Sequence, residues 1–254
     1  MTGLPSLMVA PNGARRSKSD HPALPVTLPE IVATARACAD AGADGLHLHL
    51  RDAAGRHVLD AGLYREALAE LGSAVPHMAV QITTEAVGLY SAPHQRLVAL
   101  ESGAGMVSAA LREMVQDTPD ATATDFYADC AARGIAVQHI LYDPADFDLL
   151  ARLLPDALLR DPSLQLIFVL GRYSHDQNSA PADLLPFLDR MKAMDLAPDW
   201  AVCAFGRGET ACLIEAHRCG GKLRVGFENS LLHADGTIAR DNAERVTALR
   251  LACG

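Results

Sequence analysis

The stretch of this chain whose residue types and spacing can do chemistry is His47-Leu48-His49, followed at once by Arg51-Asp52. It alternates apolar and imidazole side chains, and in a β-strand residues i and i+2 point to the same face. Two neutral imidazoles side by side in an apolar strand leave donors and acceptors unsatisfied unless something lies between them. A divalent metal removes that difficulty, because two imidazoles and a carboxylate make an open zinc-type site. Two strand-end histidines bonded separately to water or backbone have the same spacing, but the Arg-Asp that follows favours the metal. Asp52 is then expected to bond the second nitrogen of a histidine, or Arg51, as groups around metal ligands do.

Arg224-Val225-Gly226-Phe227-Glu228 supplies the carboxylate. Read as a strand, it turns Arg224, Gly226 and Glu228 to one face and Val225 and Phe227 to the other. An inward Glu228 without a partner would be costly, which argues against a simple surface ion pair. An inward Arg224 can orient a carboxylate or polarise an oxygen through its rigid fork. A structural ion pair with Glu228 or Asp52 fits the same spacing, and both readings stand here. Gly171-Arg172 and Gly206-Arg207-Gly208 read as loops where backbone and guanidinium approach an anion, although solvated loop arginines give the same pattern. His139, in mid-strand, reads as a core histidine. His21, His57, His77, His94, His175, His217 and His233 show no ligand spacing and read as surface or loop residues.

The elements that must position these groups recur at intervals of roughly thirty residues, the rhythm of a (β/α)8 TIM barrel. The pattern predicts strands at 7–10, 45–50, 79–83, 106–110, 136–141, 164–170, 200–205 and 223–227. Helices are predicted at 27–41, 61–72, 92–102, 121–133, 146–159, 182–194, 209–219 and 241–253. Thr27, Pro29 and Glu30 are a cap, a first-turn proline and a capping-box glutamate, and Gly42 is the stop. A doubly wound sheet would need a glycine fingerprint after the first strand, and Pro11-Asn12-Gly13-Ala14 is not one. No linker-like stretch divides the chain, so one domain over 1–254 is expected. In such barrels functional groups collect at the carboxyl ends of the strands. Those ends here carry Asn12 and Arg15-Arg16; His47 and His49; Thr83-Thr84-Glu85; Ser108, Arg112 and Glu113; His139, Tyr142 and Asp143; and Glu228-Asn229-Ser230. The eighth and second strands both flank the first in a closed barrel, which lets Glu228 face His47 and His49.

The whole-chain balance of 22 basic against 31 acidic residues, net −9, argues against a nucleic-acid binder, whose footprint is basic. Local arginines can still receive a small anion. The six cysteines form no C-x-x-C pair, and several sit among Ala and Val, where Cys acts as a small core residue. With no signal-peptide start and no apolar run of ~18 residues, a soluble cytoplasmic protein is expected, with no membrane partner.

Taken together, these stretches resemble the β-keto acid cleavage enzymes, whose best understood type is the 3-keto-5-aminohexanoate cleavage enzyme. The resemblance rests on Leu24-Pro25-Val26-Thr27, on Gly42 through Asp52, on Phe168-Val169-Leu170-Gly171, on Gly206-Arg207 and on Arg224 through Asn229, in order along the chain. It implies a (β/α)8 barrel with a divalent metal, normally zinc, on His47, His49 and Glu228. It implies a reaction in which a β-keto acid and acetyl-CoA give acetoacetate and a new acyl-CoA. It further implies that Arg224 assists deprotonation and holds charge, that Thr83 and Thr84 set hydroxyls against the substrate with Ser108 a poorer match, and that the assembly is a homo-oligomer, commonly a tetramer. The glycine-arginine loops, with Arg207, are where a CoA diphosphate would bind.

Two departures stand out. Many members carry an acid directly after the metal-binding glutamate, whereas this chain has Asn229. An amide is no base at neutral pH, so either Glu85 takes the proton or Asn229 serves only to orient Arg224. The Asn12-Gly13-Ala14-Arg15-Arg16 loop places cations where some members offer an acid to a substrate amine, which predicts anionic or neutral side chains. A CoA-independent metal-dependent aldolase is the alternative, and a catalytically silent metal-bound sensor is a third.

Overall fold

The computed structural model describes residues 3–254, apart from the side chain of His175. The first two residues of the expected domain 1–254, and the reading of His175 as a surface side chain, lie outside what is described. Eight parallel strands close into a barrel. They are β1 (Leu7–Val9), β2 (Gly45–Leu48), β3 (Ala79–Thr83), β4 (Met106–Ala110), β5 (Ala136–Leu141), β6 (Gln165–Leu170), β7 (Asp199–Ala204) and β8 (Lys222–Val225). The seam closes at β1, where Met8 registers against Arg224 of β8 on one side and Gly45 of β2 on the other. The fold is a (β/α)8 TIM barrel.

The outer helices are α1 (Leu28–Asp40), α2 (Ala61–Ala74), α3 (Ala92–Glu101), α4 (Asp120–Ala132), α5 (Asp146–Leu153), α6 (Leu185–Ala193), α7 (Glu209–Arg218) and α8 (Asn242–Cys253). The capping box of α1 forms as its sequence predicts. Thr27 Oγ1 accepts from the Glu30 amide, and Glu30 Oε2 accepts from the Thr27 amide at 2.9 Å. Strand parity sorts the core into two layers. On β6, Ile167 and Val169 fill the barrel interior with Ile140 and Phe205, whereas Leu166, Phe168 and Leu170 pack under the helices. Phe168 stacks on Phe187 at 4.9 Å and on Trp200 at 5.6 Å between ring centroids. All six cysteines are free thiols. Among the described residues no helix is long and apolar enough to cross a membrane.

Among the boundaries that differ from the sequence expectation, three change the course of the chain. The helix expected over 146–159 breaks at Pro155, which restarts as a turn at Asp156–Leu159. The second strand leaves the barrel after Leu48, and Leu50–Arg51 pairs antiparallel with His57–Val58 in a separate hairpin. The eighth strand stops at Val225 rather than running to Phe227. Gly226 there has φ +145, and a Cβ on it would lie 2.3 Å from the Ala10 carbonyl oxygen, so the chain turns where only glycine fits.

Candidate active site

β2 delivers His47 to the carboxyl end of the barrel, and a chain of buried amides sets its tautomer. Gln138 Nε2 donates to the Leu166 carbonyl at 3.4 Å, so Gln138 Oε1 is left to accept from Gln81 Nε2 at 3.0 Å. Gln81 Oε1 must then accept, and it takes the His47 Nδ1 proton at 2.8 Å. His47 Nε2 is therefore a bare lone pair. It lies 3.1 Å from His49 Nε2.

Glu228 reaches the same point from a turn rather than from a strand. The Gly226 carbonyl accepts from Asn229 at 2.9 Å and from Ser230 at 3.1 Å, and the Glu228 amide donates to the Ala10 carbonyl at 3.1 Å. Two helices hold this turn from behind. Glu209, at the start of α7, accepts from the Gly226 amide, and Asn242, at the start of α8, accepts from the Phe227 amide at 2.9 Å. Glu209 is itself paired with buried Arg245, and burial pushes its carboxyl up to about 7. In front, Gly13 has φ +62, and a Cβ on it would meet Glu228 Cγ at 2.6 Å. Glu228 Oε2 ends 3.5 Å from His49 Nε2 and 3.8 Å from His47 Nε2, with no hydrogen-bond partner among the described residues.

These three side chains fit a divalent ion. Ligands at ~2.0–2.1 Å from a tetrahedral centre stand roughly 3.3–3.5 Å apart, close to the spacings here. Burial, and for His47 the charge of Arg224, holds both imidazoles well below their ordinary pKa, in the neutral form a metal requires. His47, His49 and Glu228 are also the one group of potential metal ligands among the described residues.

Around them opens a cavity of about 120 Å³ at the barrel mouth. Asn12, Arg15, Thr83, Glu85 and Arg224 from the sequence-based site line it with the three candidate ligands, and Arg16, Arg172, Tyr142 and Phe205 join them. Arg224 Nη2 contacts Cys203 Sγ at 3.2 Å and Glu228 Oε1 at 3.4 Å, while its Nε and Nη1 have no partner among the described residues. Glu85 pairs with Arg172 at 3.5 Å; burial first, then the nearby Glu228 charge, raises its pKa above the usual carboxylate range. Asn12 Nδ2 donates to the carbonyls of Pro25 and His49, tying the first loop to the end of β2.

Other expected site residues lie elsewhere. The Thr84 hydroxyl donates to the Ser108 carbonyl at 2.8 Å, away from the cavity that Thr83 lines. Ser108 is fully buried outside that lining, and Arg207 is exposed outside it. Asn229 is buried with both amide atoms unpartnered among the described residues, and Arg224 bonds to Cys203 and Glu228 rather than to it. Asp52 touches neither histidine nor Arg51. It sits in the hairpin turn, ion-paired with Arg56 at 2.8 Å, because β2 ends before reaching it. Arg51 instead donates to the carbonyls of Gly13, Ala14, Gly55 and Arg16, and so clamps the loop after β1.

The glycine-arginine loops are occupied by each other. A Cβ on Gly206 would meet the Gln177 carbonyl oxygen at 2.3 Å, and one on Gly208 the Ser179 carbonyl oxygen at 1.9 Å. Those glycines let the two loops pack closely, while Arg172 lines the cavity and Arg207 lies outside it. The sequence reading also passed over Gln81, Gln138 and His57. The two glutamines had a signal, since each is a polar residue at an inward position of an Ala-Val-Gln strand. His57, read as a loop residue, is buried beside His49, its Nε2 bonded to the Glu85 carbonyl at 2.8 Å.

A (β/α)8 barrel with convergent His, His and carboxylate groups beneath an arginine-lined mouth has the build of a barrel enzyme. The chain belongs to the β-keto acid cleavage enzyme family, whose model matches residues 6–253. It is 28% identical over 242 residues to the 3-keto-5-aminohexanoate cleavage enzyme of Fusobacterium nucleatum, covering 92% of this chain and 85% of that protein. It is 26% identical over 257 residues to the 3-oxoadipate:acetyl-CoA acetyltransferase of Cupriavidus necator, covering 97% of this chain and 87% of that one. Among solved structures, the binary complex of ObcA with oxaloacetate superposes with a TM-score of 0.69 at 17% identity, a likeness of fold. The match covers 91% of this chain, which spans 63% of that structure's length.

Proposed function

We propose that this enzyme exchanges acyl groups between a β-keto acid and acetyl-CoA. The bond between C2 and C3 of the keto acid breaks, its acyl half leaves as a new acyl-CoA, and the CH2–COO⁻ half joins the acetyl group as acetoacetate. The observation that carries this reading is the His47–His49–Glu228 cluster with Arg224 beside it on the floor of the cavity. The names of the two relatives support it.

His47, His49 and Glu228 would hold a divalent metal, zinc in this reading, which supplies a Lewis acid for the keto oxygen and carboxylate of the substrate. Arg224, with two guanidinium nitrogens still unpartnered, holds the charge that develops on the enolate. Glu85 takes the proton, because Asn229 has no basic site and Glu85 is the cavity carboxylate outside the metal cluster. Its pairing with Arg172 fixes the carboxyl in place. Arg15 has no ion-pair partner among the described residues and faces the substrate's side chain. That selects anionic or neutral side chains over amines. The free thiols suit a cytoplasmic setting, and the homo-oligomer expected from the family completes the reading.

A CoA-independent aldolase on the same floor remains the second reading, favoured by one observation: Gly206 and Gly208, expected to let a diphosphate approach, lie against the backbone of Gln177 and Ser179. Mass spectrometry of products separates the two. The metal-loaded protein is incubated with anionic, neutral and cationic β-keto acids, with and without acetyl-CoA and a chelator. Acetoacetate and a new acyl-CoA, lost on chelation, are the expected outcome. Cleavage indifferent to acetyl-CoA would establish the aldolase instead.

A further inference from the structure

The two histidines of the candidate metal cluster are supported unequally. His47 hands its Nδ1 proton to Gln81, whereas His49 Nδ1 is buried without a partner among the described residues. A histidine that presents Nε2 to a metal carries its proton on Nδ1, and that proton needs an acceptor. Beside the His49 ring, at 5.3 Å between centroids and 49° between planes, lies His57.

The tautomer of His57 is set from its far side. His57 Nε2 lies 2.8 Å from the Glu85 carbonyl oxygen, which can only accept, so Nε2 carries the proton. His57 Nδ1 is then a lone pair, and it too is buried with no partner among the described residues. One buried donor and one buried acceptor, both orphaned, thus belong to neighbouring rings. Two imidazoles joined by a single N–H···N bond have centroids roughly 5 Å apart, close to the separation of these two rings.

We infer that His57 is the positioning residue for His49: its Nδ1 accepts the His49 Nδ1 proton and so aims His49 Nε2 at the metal. The inference rests on the metal reading of the cluster. It gives the Leu50–Arg51/His57–Val58 hairpin a task, because the excursion of the chain after Leu48 is what carries His57 back against His49. It also ties the cluster to the backbone of Glu85, just after β3, the strand whose Gln81 supports His47. Each histidine of the pair then has its own buried support.

The test is zinc affinity, measured by competition with a chromogenic chelator, in the parent protein and in His57→Asn, His57→Gln and His57→Phe. Asparagine places an acceptor near the Nδ1 position, glutamine keeps only the reach toward the Glu85 carbonyl, and phenylalanine keeps only the ring. H57Q and H57F should lose roughly 10–100-fold in affinity, the usual cost of removing a group that orients a metal ligand, while H57N stays within a few-fold of the parent. In the zinc-loaded protein, nitrogen-15 NMR should show a hydrogen-bonded His49 Nδ1 proton that persists in H57N and vanishes in H57Q. Parent-like affinity in H57Q, or equal losses in H57N and H57Q, overturns the assignment. A parent that binds no zinc, or a His47→Ala variant that binds it as the parent does, overturns the metal reading beneath it.

Discussion

Glu85 and Arg172 meet at 3.5 Å inside the cavity, and the balance between them fixes when Glu85 can accept a proton. Burial, then the Glu228 charge, raises the Glu85 pKa, while Arg172 and Arg15 oppose that rise. A base acts in its ionised form, so the rate should fall as pH drops through this raised pKa. The acid limb of the kcat/KM profile should therefore lie above the ordinary carboxylate range. Glu85→Gln should abolish that limb and lower kcat by about 10²–10⁴, with zinc affinity unchanged. Arg172→Gln removes the opposing charge and should move the limb to higher pH. An E85Q enzyme with parental kcat would remove Glu85 from the chemistry. Arg15 is argued in the same way, as an exposed arginine of the cavity wall. Arg15→Glu should raise KM about tenfold or more, at least ~1.4 kcal/mol, for a β-keto acid with an anionic side chain and leave a neutral one nearly unchanged. Equal effects on both would place Arg15 outside the side-chain pocket.

At the scale of elements, the barrel was legible because its signals are local and periodic. Thr27, Pro29 and Glu30 announce α1, and the continuous apolar run of β6 announces a strand buried on both faces. Periodicity misled where a strand pattern outlasts strand pairing. His47-Leu48-His49-Leu50 alternates throughout, yet backbone pairing to the barrel stops at Leu48, and the remainder folds into a hairpin. This is why Asp52 was expected at a histidine and is found on Arg56, and why His57 was missed. The same happened at β8. Glu228 faces the cluster, but from a turn that Gly226 makes possible, so simple alternation does not explain its placement. Pairings across the sequence, such as Gln81 with Gln138 or Glu209 with Arg245, leave no trace in local spacing. The turn yields its own prediction. Gly226→Ala forces a side chain into a positive-φ position 2.3 Å from the Ala10 carbonyl oxygen. It should cost about 2 kcal/mol or more in urea unfolding and weaken zinc binding by displacing Glu228. Parental stability in this variant would show that the loop after β1 yields to it without cost.

For the whole molecule, net charge and local charge point in opposite directions. The chain carries −9 overall, but Arg15, Arg16, Arg172 and Arg224 face Glu85 and Glu228 at its mouth, so the cavity offers an anion a positive field that the surface average conceals. The placement of the candidate ligands matters to the fold as well. His47 lies on β2, His49 comes just after it and Glu228 follows β8, the two strands that flank β1, and β1 pairs with the barrel over only Leu7–Val9. A metal held by these three groups would staple the barrel across its shortest strand. Binding to the folded chain alone adds RT ln(1 + [L]/Kd), about 2.7 kcal/mol at a hundredfold excess over Kd. For a chain of 254 residues, at roughly 2–4 °C per kcal/mol, that is a rise in Tm of about 5–10 °C. The rise should grow with the logarithm of free zinc, reverse on adding a chelator, and disappear in His47→Ala. Differential scanning calorimetry of the stripped and zinc-loaded protein measures it directly. A Tm indifferent to zinc, or an equal rise in H47A, would mean that the seam is held by strand pairing alone and that His47, His49 and Glu228 do not hold the ion.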